Sequence, residues 1–144
     1  MSNDDQRITF PEKGDWQRLL DQRTLIERMI ADESDRENYE TPSGKLALLN
    51  AILKQTVFSP TDTYELQCMG VVLGDAFVQG LGLEWVIVED SYGRDPALRM
   101  PGTSIIIYPL TMISKRLERE KAIDVIELFG VLAEEIEQMK ADGY

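Results

Sequence analysis

The chain has no histidine and only one cysteine, and these two gaps exclude whole classes of chemistry. Without histidine there is no Ser-His-Asp or Cys-His activation of a nucleophile, no imidazole acid–base catalysis and no histidine pH switch. The usual zinc sets, built from several Cys and His ligands, go with it. Any metal would have to be a hard, oxygen-bound ion such as magnesium or calcium. Nothing in the residues points to a metal site or a cofactor. Cys68 has no second thiol to pair with, so no intramolecular disulfide forms. No cation lies near it in sequence to lower its pKa, and it reads as a small core residue rather than a nucleophile.

Long apolar runs are missing too, with none near the roughly 18 residues that suggest a membrane span. The opening MSNDDQRITF is polar and acidic, without the basic-then-apolar order of a secretory signal. The expectation is a cytoplasmic protein with no membrane contact. Positive charge is scarce: 15 basic residues face 26 acidic ones, for a net charge of −11. Binding to nucleic acid through phosphate neutralisation is therefore disfavoured. Between Lys54 and Arg94 there is no cation, while Asp62, Glu65, Asp75, Glu84, Glu89 and Asp90 are all acidic. From Arg99 to Lys121 the sign reverses, with Lys115, Arg116 and Arg119 set against Glu118 and Glu120. The plain reading is a solvated surface that maintains solubility; the sharper one is an acidic face that docks a basic partner.

What remains is ample for one core, since 43% of the 144 residues are hydrophobic. Residues 1–14, punctuated by Pro11 and Gly14, read as a flexible lead-in, and residues 15–144 as one domain. Asp15 is expected to cap a helix beginning at Trp16, with Leu19, Leu20, Ile26, Met29 and Ile30 at helical spacing. The polar run ADESDRENYE reads as a linker or frayed helix end. Thr41-Pro42 and Ser59-Pro60 are start signals for two further helices. The second of these turns Leu66, Met69, Val72, Leu73, Ala76 and Phe77 inward and stops at Gly80 or Gly82.

Gly70 and Gly74, four apart in that helix, cost roughly 1 kcal/mol each relative to alanine, so close packing against another element is expected of them. LEWVIVED alternates Leu83, Trp85 and Ile87 with Glu84, Val86 and Val88, the pattern of a strand. Turns at Ser91-Tyr92-Gly93 and Pro101-Gly102 separate it from short strands at Ala97–Met100 and Thr103–Tyr108. Pro109 and Asp124 open two more helices. The order predicts an α+β fold, a three-stranded antiparallel meander covered by about five helices.

The run GVVLGDAFVQGLGLEWVIVEDSYGRDPALRMPGTSIIIYPLTMISKRLE holds Gly70 and Gly74, then Trp85, Glu89-Asp90 and Tyr92-Gly93. It continues with the Pro101 turn, Pro109 and the Lys115-Arg116 pair. Over roughly residues 60–120 it resembles a bacterial family of small proteins, domain of unknown function 3806. The resemblance implies a single bacterial cytosolic domain and transfers no catalytic residue.

The candidate binding site is the polar hairpin and the basic segment after it: Glu89, Asp90, Tyr92, Arg94, Asp95, Arg99, Lys115 and Arg116. Glu89 falls on the inward face of its strand, so it needs a partner, which Arg99, Lys115 or Arg116 would supply. The plain reading is a salt bridge pinning the hairpin to the following helix. Three functions are weighed. The first is a non-catalytic module that binds a protein with a basic surface; immunity-like neutralisation suits a small acidic protein by analogy of charge and size. The second is a small-ligand binder or carboxylate-based enzyme using Glu89, Asp90, Arg94 and Arg116. The third is a homo-oligomer formed through the helix face of Gly70 and Gly74.

Overall fold

A single long helix, Thr63–Leu81, occupies the centre of the molecule, and the other elements are arranged around it. The computed structural model describes residues 6–144. In chain order the elements are β1 (Arg7–Thr9), α1 (Lys13–Glu27), α2 (Glu33–Tyr39), α3 (Pro42–Lys54) and α4 (Thr63–Leu81). They continue with β2 (Glu84–Asp90), β3 (Gly93–Arg99), β4 (Ile106–Ile107), a 3-10 turn at Pro109–Thr111, α5 (Met112–Glu118) and α6 (Val125–Ala141).

The six inward residues expected of α4 are all completely buried, and so are Cys68 and Val71 on its other flanks. Burial all round follows from position: α1 and α3 pack on it from two sides, and the 3-10 turn and α5 from others. Gly70 and Gly74 make the closest of these approaches possible. A methyl group at 70 would stand 2.5 Å from the Leu110 Cα, and one at 74 would stand 2.5 Å from the Trp85 ring. Leu110, Pro109 and Trp85 of the same chain occupy the space at both glycines, so the close packing expected of them is made within the chain.

The α+β expectation is met, with two corrections. The sheet has four strands, in the order β1-β2-β3-β4 and antiparallel throughout, and the helices number six. The added strand is β1, inside the stretch expected to be a flexible lead-in, and the first five residues of that stretch lie outside the described residues. It pairs Arg7, Ile8 and Thr9 with Glu89, Val88 and Ile87. Three residues are too few to display an alternating pattern, and the pairing partner is some 80 residues away in sequence. The added helix is α2, read from sequence as a linker. Asp32 caps it by accepting from the Asp35 N–H at 2.8 Å, and buried Tyr39 anchors its end.

Helix α1 begins three residues earlier than expected. Asp15 is not its cap but its third residue, reaching back to accept the Glu12 N–H at 2.8 Å. The strand expected at Thr103–Tyr108 shrinks to Ile106 and Ile107. The Pro101-Gly102 turn before it closes with Thr103 N–H donating to Met100 C=O, and Gly102 takes the positive φ (+78°) that this turn demands.

One sheet face lies on the helices through Trp85 and Leu98; on the other, Ile8 and Ile106 pack against Val86, Val88 and Ala97. Helix α6 is fixed at its start by a side-chain clamp from α3. Asn50 donates to Asp124 at 2.9 Å and accepts the Val125 N–H at 2.9 Å, while Phe77 and Phe129 stack at 4.9 Å.

Candidate functional site

The β2–β3 hairpin projects its turn, Ser91-Tyr92, away from the helices. Asp90 shapes the turn by accepting the Tyr92 N–H at 2.8 Å. Gly93 absorbs the positive φ (+146°), and neither Ser91 nor Tyr92 has to. Tyr92 is left 95% exposed, the most exposed large hydrophobic side chain among the described residues.

The register sets the charges behind this tip. Glu89 stands opposite Arg94 on one side and Arg7 on the other. Arg94, however, is taken by helix α1, donating through both Nη atoms to the two Asp15 oxygens, one of them at 2.8 Å. That guanidinium fork holds the Asp15 carboxyl below its ordinary range. Arg7, Thr9, Glu12, Asp15, Glu89 and Arg94 together line an open hollow of about 360 Å³. Arg99 pairs across the ladder with Glu84 at 3.1 Å, its guanidinium 5.7 Å from the ring of Phe10.

The bridge expected from Glu89 forward to the following helix is not among the ion pairs of the described residues; a different pair, Arg94 with Asp15, pins the hairpin back to α1. None of the partners expected for Glu89 is among its register neighbours. Arg99 is engaged by Glu84, and Arg116 turns a guanidinium N–H to its own helix at the Met112 carbonyl, 3.0 Å away. Lys115 and Asp95 meet elsewhere, in a cleft shared with Arg18, Gln67, Pro96, Tyr108, Leu110 and Thr111. Of the eight candidates, Glu89, Asp90, Tyr92 and Arg94 gather at the hairpin end. Asp95 and Lys115 belong to the cleft, Arg99 lies at the far end of β3, and Arg116 joins neither group.

Sequence reasoning missed Asp15, Arg7 and Arg18, all from the first twenty residues. Each reaches its place only through the β1 pairing or the docking of α1 on α4. It also missed a polar knot beneath the surface. Asp75 of α4 accepts from Arg23 of α1 at 2.5 and 2.9 Å, and from the Trp85 indole N–H at 3.2 Å. Nearby, Lys45 donates to the Tyr39 carbonyl at 2.9 Å and lies 4.5 Å over the Tyr39 ring. Burial pushes the Lys45 pKa down and the Tyr39 pKa up. An acid inside an apolar helix face, seven residues after a buried cysteine, was the available signal for this knot.

A family model described as Domain of unknown function (DUF3806) matches residues 45–129. It spans α3 to the start of α6 and includes every residue that carried the resemblance. No curated protein matches the chain. Among solved structures, a 1.50 Å crystal structure from Bacteroides thetaiotaomicron VPI-5482 is similar, with a TM-score of 0.68 and 13% sequence identity. The similarity covers 85% of this chain but only 45% of that one. At that identity the likeness is one of fold.

Proposed function

The chain belongs to the family of the domain of unknown function DUF3806, and from that premise we propose that it is a non-catalytic protein-binding module whose hairpin end docks a basic partner surface. The observation that carries the reading is Tyr92, 95% exposed at the tip of a rigid two-strand ladder. A tyrosine so placed offers a large amphipathic contact at low entropic cost, the kind of side chain that anchors interfaces. Glu89 and Asp90 lie just before it in the hairpin, and Glu89 lines the hollow behind the tip with Glu12. Of the nearby cations, Arg94 and Arg99 are engaged by Asp15 and Glu84, which leaves Arg7, opposite Glu89, against the three acids Glu12, Glu89 and Asp90. The rim therefore presents net negative charge on a protein already at −11, and long-range attraction speeds its encounter with a basic surface. Immunity-like neutralisation of a basic partner is one form of this reading.

The carboxylate-enzyme alternative is less well supported at the same place. It needs Glu89, Asp90, Arg94 and Arg116 to converge on one pocket, and Arg116 instead turns to the Met112 carbonyl of its own helix and does not line the hollow.

Affinity capture from the source cells at low salt tests the proposal, comparing the natural chain with Tyr92→Ala and Asp90→Lys. The expected result is a partner held by the natural chain, released by salt and lost by both variants. If both variants retain every captured protein, the hairpin is not the docking surface.

A further inference from the structure

The cleft holding Lys115 and Asp95 shares no lining residue with the hollow behind the Tyr92 tip. Strand β4 pairs only with Leu98 and Arg99, so the edge of β3 between Gly93 and Ala97 has no strand beside it on that side. Met100 N–H donates to Ile105 across this edge, which puts Leu98 and Pro96 in the same outward-pointing phase. Pro96 sits where a ladder donor would have nothing to bond, and it costs the sheet no hydrogen bond. Into the gap come Arg18 and Gln67 from α1 and α4, with Tyr108, Thr111 and Lys115 from the segment after β4; they enclose about 270 Å³.

Two features separate this cleft from an ordinary surface groove. Arg18 and Lys115, from helices far apart in sequence, converge here, and neither is ion-paired among the described residues. Asp95 is the single acid in the same lining, against an apolar floor of Pro96 and Leu110, both buried. Tyr108 stands at its mouth, its pKa raised by burial and by the nearby Asp90 and Asp95 carboxylates, so its hydroxyl stays protonated and able to donate.

We propose that this cleft binds a small organic acid carrying a neighbouring hydrogen-bond donor, a hydroxy acid or an amino acid. The carboxylate of the ligand faces Arg18 and Lys115, which can meet it with charge-assisted bonds, and its hydroxyl or ammonium group faces Asp95. Gln67, Thr111 and Tyr108 supply the remaining polar contacts. The volume of about 270 Å³ lies just below the usual range of ligand sites, which suits a molecule of a few heavy atoms better than a nucleotide.

The test is an amide NMR titration of the full chain with L-serine, L-lactate, acetate and inorganic phosphate as probes. Serine or lactate shifts the Gln67, Thr111 and Lys115 resonances to saturation, and acetate, lacking the donor, binds roughly fivefold or more weakly. Asp95→Asn narrows that gap. Arg18→Gln with Lys115→Gln, both at exposed positions whose loss leaves the melting temperature in place, weakens the preferred probe about tenfold or more. Tyr92→Ala changes nothing. Equal, unsaturated shifts from all four probes overturn the proposal, as does a response that survives the double substitution. Phosphate binding more tightly than either acid replaces the ligand class with a simple anion and overturns it equally.

Discussion

Arg23 with Asp75 and Arg94 with Asp15 are the same chemical pair, each a guanidinium fork on a carboxylate, set in opposite surroundings. The first lies under α1, with the Trp85 indole as a third partner, and its side chains are 22% and 13% exposed. The second holds the hairpin to the start of α1, with the Arg94 side chain 40% exposed. Both carboxylates are 13% exposed, so the difference lies in the arginines, and water competes more for Arg94 than for Arg23. The inner pair is thus bound to the stability of the fold, because losing either partner strands a charge. The outer pair instead orients the hairpin and takes a cation out of its rim, at little energetic consequence either way.

Breaking the inner pair gives the largest expected effect. Asp75→Ala leaves the Arg23 guanidinium and the Trp85 N–H without their acceptor. A loss of about 2 kcal/mol is expected in urea unfolding, below the range for fully buried pairs because Arg23 keeps some solvent contact. Next comes Gly70→Ala, where the added methyl meets backbone and cannot be relieved by a rotamer change; about 1 kcal/mol net is expected by the same measurement, since alanine's better helix propensity offsets part of the overpacking. If Gly70→Ala proves neutral, the approach of the 3-10 turn to α4 is looser than described.

The outer pair sharpens the contrast through pH. Arg94 holds the folded pKa of Asp15 below its ordinary value of 3.8. The contribution of the pair is therefore complete above that value and is lost as the pH falls through the lower, folded one. Asp15→Asn should lower the melting temperature slightly at neutral pH, and the difference from the natural chain should vanish well below pH 3.8. A difference that persists in acid would mean the carboxylate charge is not what matters. The smallest effect on stability is expected for Tyr92→Ala, within about 0.5 kcal/mol, although it removes the proposed anchor. A large loss of stability there would place Tyr92 in the structural group.

The same contrast explains what could be read from the sequence. Helices α3, α4 and α6 were legible because their caps and apolar faces are local: Thr41, Asp124 and the stripe from Leu66 to Phe77 lie within a few turns of what they specify. Strand β2 and the turn after it were legible from alternation, but β3 was expected only from Ala97 and in fact begins at Gly93, because the donor that Pro96 lacks falls on the open edge. The charged pairs were not, because an arginine shows its charge in sequence but not its partner. Asp15 looked like a helix cap, and its bond to Arg94 depends on how α1 docks. The candidate site was half legible for the same reason: Glu89, Asp90, Tyr92 and Arg94 share a hairpin, whereas Arg99, Lys115 and Arg116 were grouped by sequence proximity and are separated by the fold.

Strand β1 and helix α1 fall outside the 45–129 segment, yet β1 closes one border of the sheet, and α1 contributes Leu19 and Ile26, both completely buried. A chain trimmed to the matched segment would leave the β2 margin bare and the flank of α4 uncovered, inviting edge-to-edge association. The segment matched by the family model is thus smaller than the set of elements that pack on one another, and expression work should take its boundaries from the latter.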